Sequence, residues 1–147
     1  MIKSKATGDT NRHHAMRRVK SRDTSIEVSL RRALWHAGIR YRKNDAHLPG
    51  TPDIAITKYQ IAIFCDGEFW HGKDWPDKKA CLKRNRDYWI NKIERNMCRD
   101  RQNDWALCCL GWTVLRFWGV EIHKDLPSCI DDIKCAIIQN IIENGPI

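Results

Sequence analysis

The chain lacks the long apolar runs and paired cysteines that mark several large classes of protein. No apolar run approaches the roughly 18 residues that a membrane-spanning helix needs. The first five residues, 1–5, do not resemble the start of a signal peptide. The seven cysteines are odd in number and include no Cys-x-x-Cys pair, so we predict neither a disulfide framework nor a four-ligand zinc site. We therefore expect a cytoplasmic protein.

Acidic residues are also in deficit. The 147 residues include 26 Lys and Arg against 18 Asp and Glu, which gives a formal net charge of +8. This excess favours an anionic partner, with nucleic acid first and a membrane surface second. A basic but merely solvated surface stays open at this point.

The basic residues are dense at the start of the chain. Residues 1–23 are polar and have little to bury, and they include Arg17, Arg18 and Arg22. We interpret them as a flexible arm that becomes ordered on a polyanion, with an ordinary frayed terminus as the alternative. Residues 24–147 are long enough for one domain with its own core.

Apolar periodicity predicts the elements of that domain. A capping box from Thr24 to Glu27 starts a helix over 25–37, which Gly38 ends. Further helices are predicted at 85–110 and from Pro127 to Gly145. The predicted strands are 39–42, 53–57, 60–65 and 112–117, with a loop from 67 to 85. This order predicts an α/β fold in which a central mixed sheet is flanked by helices.

The residues that could carry chemistry stand at the ends of two of these strands. Asp53 opens one strand, and Cys65, Asp66 and His71 end or follow the next. Adjacent strands would bring a carboxylate and the Cys65 carbonyl together as Mg²⁺ ligands, with His71 as the general base. Glu27, Asp66 and Glu68 would orient metal-bound water. Taken singly, Asp53 is also typical of a turn, Glu27 of a helix cap and His71 of a solvated loop.

Four motifs, in order, resemble the very-short-patch-repair (Vsr) mismatch endonucleases, a branch of the restriction-endonuclease-like nucleases. The similarity runs from about Met16 to Phe117. The motifs are SRDTSIE at 21–27, LPGTPD at 48–53, FWH at 69–71, and YWI at 88–90 with Lys92-Ile93 and Arg99-Asp100-Arg101.

The resemblance implies a magnesium-dependent nick in duplex DNA, with two ions expected. Asp53 matches the metal-binding aspartate, His71 the water-activating histidine, and Glu27 an acid that touches metal-bound water. Cys65 stands where the family has a threonine whose backbone carbonyl binds the metal. Asp66 replaces a second histidine, and we expect this acid to hold a metal or its water.

The resemblance also implies roles for aromatic and zinc-site positions. Phe69, Trp70 and Trp89 match aromatics that wedge beside a T:G mismatch, whereas we predict that Trp35, Trp105 and Trp112 lie in the core. The family's structural zinc positions hold other residues here, and we predict no structural zinc. We expect Trp75 to replace that zinc by packing, and Asp100 to pair with Lys73 or an arginine. The four positions are Lys73, Trp75, Asp100 and Val120.

The function expected from the resemblance is nicking of duplex DNA at T:G mismatches in very-short-patch-type repair, with Arg84, Arg86 and Arg95 binding phosphates beside the basic arm. Such a protein would associate with the nucleoid and with other repair proteins. Two rival interpretations stay open. One is a restriction or mobile-element nuclease without mismatch preference, and the other is a DNA-binding module that has lost catalysis.

Overall fold

A computed structural model of the protein describes residues 23–145. Within that range the helices are α1 (Ser25–His36), α2 (Trp75–Cys81), α3 (Arg86–Cys109), α4 (Gly119–Lys124) and α5 (Leu126–Asn144). The strands are β1 (Arg42–Lys43), β2 (Ile54–Ile56), β3 (Ile61–Asp66) and β4 (Thr113–Trp118). One 3-10 turn at Thr57–Tyr59 joins β2 to β3. Of the helices described, none has the length and apolar character to cross a membrane. The predicted arm, with Arg17, Arg18 and Arg22, falls outside the described residues except for Asp23.

The four strands form one mixed sheet in the order β1-β2-β3-β4. The first three strands pair antiparallel, and β3 pairs in parallel with β4 in a register that sets Phe64 opposite Arg116 and Asp66 opposite Trp118. A parallel pair needs a long crossover connection, which α2 and α3 provide here. The predicted mixed sheet with flanking helices is confirmed.

Alternation along β3 divides the core between the two faces of the sheet. Ile61 and Ile63 belong to the larger cluster, which also contains residues of α1, α4 and α5. Ala62 and Phe64 point to the opposite face and cluster with Leu107 of α3. The sheet is therefore covered on both faces. Asp66, two residues after Phe64, lies on the α3 side where β3 ends.

Several predicted boundaries are wrong. The strand expected at 39–42 is reduced to Arg42–Lys43, and Ile39 instead packs against the larger cluster. The loop expected at 67–85 contains α2, and α4 was not predicted. Pro76 was interpreted as a loop residue, although a proline in the first turn of a helix costs no internal hydrogen bond. The first-helix cap is confirmed in part. The Thr24 hydroxyl accepts from the Glu27 amide at 3.5 Å, but the Glu27 carboxylate accepts from the Asp23 amide.

Two of the three tryptophans predicted in the core are on the surface. Trp35 is 52% exposed and Trp105 is 74% exposed, while Trp112 is partly buried against the α3-side cluster. Trp35 lies near the end of α1, where the guanidinium of Arg40 stacks 3.5 Å from its ring centroid. Trp105 lies two residues from the buried Leu107, which places it on the opposite side of α3.

Candidate active site

A cleft of about 620 Å³ opens where β3 ends, between α1 and α3. Asp53, Asp66 and His71 all line it, as does Glu27 of α1. The expected meeting of Asp53 and His71 on one side of the molecule is therefore confirmed. The other lining residues are Asn44, Gly50, Thr51, Phe64, Cys65, Arg99, Asp100, Asn103 and Arg116.

The turn before β2 carries Asp53 into this cleft. The chain passes through two residues with positive φ, Gly50 at 77° and Thr51 at 50°. Thr51 precedes a proline and is β-branched, so an extended backbone would be its usual state. Backbone bonds from the amides of Asn44 to the Asp53 carbonyl and of Asp45 to the Pro52 carbonyl hold the turn in place.

The Asp53 carboxylate is partly buried and strongly perturbed. Burial raises its pKa from 3.8 to about 6, the Cys65 amide opposes the shift, and the charges of Glu27 and Asp66 add to it. The Cys65 amide donates to Oδ2 at 2.7 Å. Among the described residues none donates a hydrogen bond to Oδ1. A desolvated carboxylate beside other acids has a deficit of positive charge, which a cation would offset.

His71 is held by a carboxylate that the sequence did not assign to it. Its Nδ1 lies 2.6 Å from Asp100 Oδ2 and 3.7 Å from Asp66 Oδ1. An ionised Asp100 accepts only, so Nδ1 carries the proton and Nε2 is the nitrogen that can accept one. Burial lowers the pKa of His71, but the hydrogen bond to Asp100 and the charges of Asp66 and Asp100 outweigh it, so the net pKa lies above its ordinary value.

Asp66 is paired with an arginine of the neighbouring strand. Arg116 Nη1 lies 3.0 Å from both Asp66 oxygens, and its Nε and Nη2 contact Asp104 at 3.0 and 2.7 Å. Burial raises the pKa of Asp66, with Arg116 and His71 acting in the opposite direction. A role for Asp66 at a metal or its water stays a prediction. What the structure adds is that the acid is already neutralised by a cation.

The two glutamates predicted to act on metal-bound water have different surroundings. Glu27 is buried at the cleft wall and bonds the Asp23 amide. Glu68 is absent from the cleft lining, and its Oε1 accepts from the Val120 amide at the start of α4. Glu68 thus ties the segment after β3 to α4.

Four aromatic side chains and a lysine form an exposed cluster next to His71. Phe69 and Trp70 are each 37% exposed, and Trp89 contacts both rings, with centroids 5.5 and 5.6 Å away. Tyr88 lies 5.1 Å from Trp89, and Lys92 Nζ lies 5.2 Å from the Trp70 centroid. Asn96 of α3 donates to the Trp70 carbonyl at 3.2 Å. We call these four rings and Lys92 the aromatic cluster. Large apolar rings kept at the surface are typical of a binding site.

Comparison with known proteins identifies the family. A profile for the DNA mismatch endonuclease Vsr matches residues 5–77. The chain is 45% identical over 126 residues to the type II nicking enzyme V.NmeDIP of Neisseria meningitidis serogroup C, covering 86% of this chain and 85% of that one. It is 46% identical over 123 residues to the type II nicking enzyme V.HpaIIP of Haemophilus parainfluenzae, covering 84% and 87%.

The DNA mismatch endonuclease Vsr of Escherichia coli K12 is 38% identical over 122 residues, covering 83% of this chain and 75% of that protein. The chain belongs to the Vsr DNA mismatch endonuclease family. Its mixed α/β domain agrees with the restriction-endonuclease-like fold expected of a Vsr protein.

In this Vsr-family chain the four positions compared with a structural zinc site make other contacts. Lys73 pairs with Asp74 at 3.0 Å. The buried Trp75 donates to Glu94 at 3.2 Å, which fastens α2 to α3. The expectation that Asp100 pairs with Lys73 or an arginine is confirmed for the arginine, since Arg116 lies 3.9 Å away. The closest partner of Asp100 is His71, at 2.6 Å. At the fourth position the backbone amide of Val120 donates to Glu68.

The same segment depends on a glycine that the Vsr motifs did not single out. Gly72 has φ of 74°, and a Cβ there would lie 2.4 Å from the Met97 sulfur. A side chain at this positive φ would be strained, and the flexible Met97 side chain would have to move to make room for it. The close approach lets the residue before it, His71, reach Asp100 on α3.

The predicted phosphate-binding arginines of the described region are all exposed. Arg86 donates to the carbonyls of Lys79 and Leu82, so part of its guanidinium holds the junction of α2 and α3. Arg84 and Arg95 lie on the surface beside the same helices. Their contact with DNA stays a prediction.

Sequence reasoning missed Asp100 as the partner of His71 and missed Arg116 altogether. Asp100 lies 29 residues from His71, and Arg116 lies 50 residues from Asp66. One pattern could have found Asp100: it stands four residues before Asp104, so both acids share one face of α3. Arg116 lies on the same face of β4 as Val114, which packs against the cluster containing Leu107 of α3, and thus faces that helix.

Proposed function

We propose that this protein is a Mg²⁺-dependent endonuclease that nicks duplex DNA, with a T:G mismatch as the preferred site. Membership of the Vsr family supports the reaction class. The observation that carries the proposal is the single cleft that Asp53 and His71 line together, beside the exposed aromatic cluster.

The donor set fits magnesium. Asp53 offers a carboxylate oxygen that receives no hydrogen bond from residues 23–145, and the Cys65 carbonyl would be the second ligand. Glu27 at the cleft wall would bind ion-held water. Hard oxygen donors in small number suit Mg²⁺, which keeps much of its water shell. The bound ion would neutralise charge on the phosphodiester as it is attacked.

His71 then acts as the general base. Because Nδ1 donates to Asp100, the neutral ring presents Nε2 to water, and the proton of the attacking water passes to that atom. Asp100 fixes the ring orientation and stabilises the imidazolium that forms. Asp66, bonded to Arg116, lies 3.7 Å from Nδ1, and its charge helps to raise the pKa of His71.

The aromatic cluster favours a DNA substrate in which the stacking between two neighbouring base pairs is weak. Separating two stacked bases costs a few kcal/mol and costs least at a mismatch. A ring inserted into the gap regains about 1–3 kcal/mol by stacking. Phe69 and Trp70 follow β3 directly and are exposed, and the charge of Lys92 beside them favours the DNA backbone.

The deciding experiment compares a matched duplex with one that carries a single T:G mismatch, each with Mg²⁺ or with EDTA. We expect one strand to be cut, only with Mg²⁺, and faster on the mismatched duplex. Asp53→Ala should abolish cutting and leave duplex affinity within about threefold, since one carboxylate contributes little to phosphate binding. Cutting that survives either EDTA or Asp53→Ala would refute the metal assignment.

A second candidate follows from the relatives. Two of them carry the name type II nicking enzyme, which favours strand nicking and says nothing of a mismatch. If matched and mismatched duplexes are cut at equal rates with Mg²⁺, the protein is a sequence-directed nicking enzyme that uses the same cleft.

A further inference from the structure

Arg116 lines the cleft and contacts three acids, of which Asp66 and Asp100 line the cleft with it. Its Nη1 is shared by the two oxygens of Asp66 at 3.0 Å and lies 3.9 Å from Asp100 Oδ1, while Nε and Nη2 grip Asp104. The three acids come from two elements, the end of β3 and one face of α3. A single guanidinium thus joins the strand to the helix.

The guanidinium has little freedom to leave this position. Its central carbon lies 4.1 Å from the centroid of the buried Phe64 ring, which is directly opposite Arg116 in the strand register. A lysine at this position would offer a single ammonium group, whereas the guanidinium of an arginine contacts two carboxylates at once. Stacking on the Phe64 ring and ion pairs with the acids therefore both hold the Arg116 guanidinium in place.

Two of these acids belong to a group with the geometry of a metal site. One ligand atom each from Asp66, His71 and Asp100 lie within 4.8 Å of one another. Two carboxylates and an imidazole are a set that Co²⁺, Mn²⁺ or Zn²⁺ would accept. In this structure Arg116 already provides the positive charge for both oxygens of Asp66.

We propose that Arg116 takes the place of a metal ion at this group. Asp66 and Asp100 then hold the His71 ring in its orientation and bind no metal. Divalent ions bind instead at Asp53. Arg116 is in this sense a positioning residue. The inference rests on the proposed function only for the ion at Asp53. A metal on His71 would occupy the nitrogen that now bonds Asp100 and would disturb the ring that has to face water.

The test measures Co²⁺ binding by calorimetry and visible absorption, with CoCl₂ as the probe. Asp53→Ala removes the proposed metal site and gives the reference protein. Adding Arg116→Gln should create one Co²⁺ site per chain at least tenfold tighter than any in the reference, with an absorption band typical of a nitrogen ligand. Adding His71→Ala as well should remove it.

A matched control is Arg40→Gln in the same reference protein. Like Arg116, Arg40 stacks on an aromatic ring, but it donates to the Trp35 carbonyl and is absent from the cleft lining. This variant should gain no site. If Arg116→Gln fails to fold because three acids lose their cation, Asp104→Asn is added to it. That change neutralises an acid outside the metal-like group and leaves Asp66, His71 and Asp100 intact.

The inference is overturned if the folded Arg116→Gln protein binds Co²⁺ no more tightly than the reference, or if the tighter binding survives His71→Ala. Neither readout depends on nicking. If Arg116→Gln adds the Co²⁺ site to the reference but the wild-type protein never cuts DNA, the proposed function alone fails. If the wild type cuts DNA with Mg²⁺ but Arg116→Gln adds no site to the reference, this inference alone fails.

Discussion

Replacing Asp53 with asparagine should stabilise the metal-free protein while abolishing nicking. Folding raises the pKa of Asp53 from 3.8 to about 6 by burial, so ionising it costs the folded state more than the unfolded chain. One pKa unit corresponds to about 1.36 kcal/mol, which gives about 3 kcal/mol for this change. Asparagine keeps an acceptor for the Cys65 amide, so the local hydrogen bond is retained.

The sign follows from proton linkage. A carboxyl with a raised folded-state pKa contributes its full stability below the unfolded value and loses it as pH rises through the folded value. The wild type therefore loses stability relative to Asp53→Asn between about pH 4 and pH 7, and the difference stays constant above that range. The folded and unfolded pKa values that set this window are about 6 and 3.8.

The assay is urea unfolding of both proteins in EDTA at several pH values. The free energy of unfolding of Asp53→Asn, relative to that of the wild type, should grow by about 3 kcal/mol across that window. Asp131→Asn, at an exposed position of α5, is the control and should stay within about 0.5 kcal/mol of wild type. A difference in unfolding free energy between Asp53→Asn and the wild type that does not change with pH would mean that the Asp53 carboxylate is well solvated. Added Mg²⁺ should narrow the gap, because only the wild type binds it.

Three further predictions concern the base, the aromatic rings and the arm. Because the pKa of His71 is raised, the nicking rate should fall as pH drops through that pKa. Asp100→Asn should lower the pKa and so move the acid limb of the rate–pH profile to lower pH. An acid limb that does not move would show that Asp100 does not act on the base. Phe69→Ala with Trp70→Ala should reduce the ratio of mismatched to matched cutting by about tenfold, the value of roughly one stacked base, and an unchanged ratio would remove the wedge. Deleting residues 1–20 should flatten the log–log dependence of duplex affinity on salt, whereas an identical slope would show that the arm is free of DNA.

The sequence predicted those features that arise from local pattern or from adjacent strands. Periodicity located α1 and α5 to within one or two residues, because each has an apolar stripe and a capping side chain. The bounds of α3 were predicted equally well, although its N-cap residue, Asn85, makes no side-chain capping bond. The meeting of Asp53 with His71 followed from the pairing of β2 and β3, which join through a single turn. What periodicity could not give was the side of α3 on which Trp105 lies, since the spacing of apolar residues there is loose.

The contacts that the sequence could not predict are those made by charged residues far apart in the chain. An aspartate in a long basic helix and an arginine in a strand each have many solvated precedents. The spacing of Asp100 and Asp104 predicts that they share a face of α3, but it does not predict which residues that face contacts. Only the parallel pairing of β3 with β4 under α3 brings Arg116, Asp66 and Asp100 together. Asp66 is buried, whereas Asp100 and Asp104 are partly exposed. Holding these carboxylates around one guanidinium costs solvation free energy, and replacing one partner alone by an apolar residue would leave a charge uncompensated. A cluster that costs stability around His71, the proposed general base, is better explained by the orientation it gives that ring than by any contribution to folding.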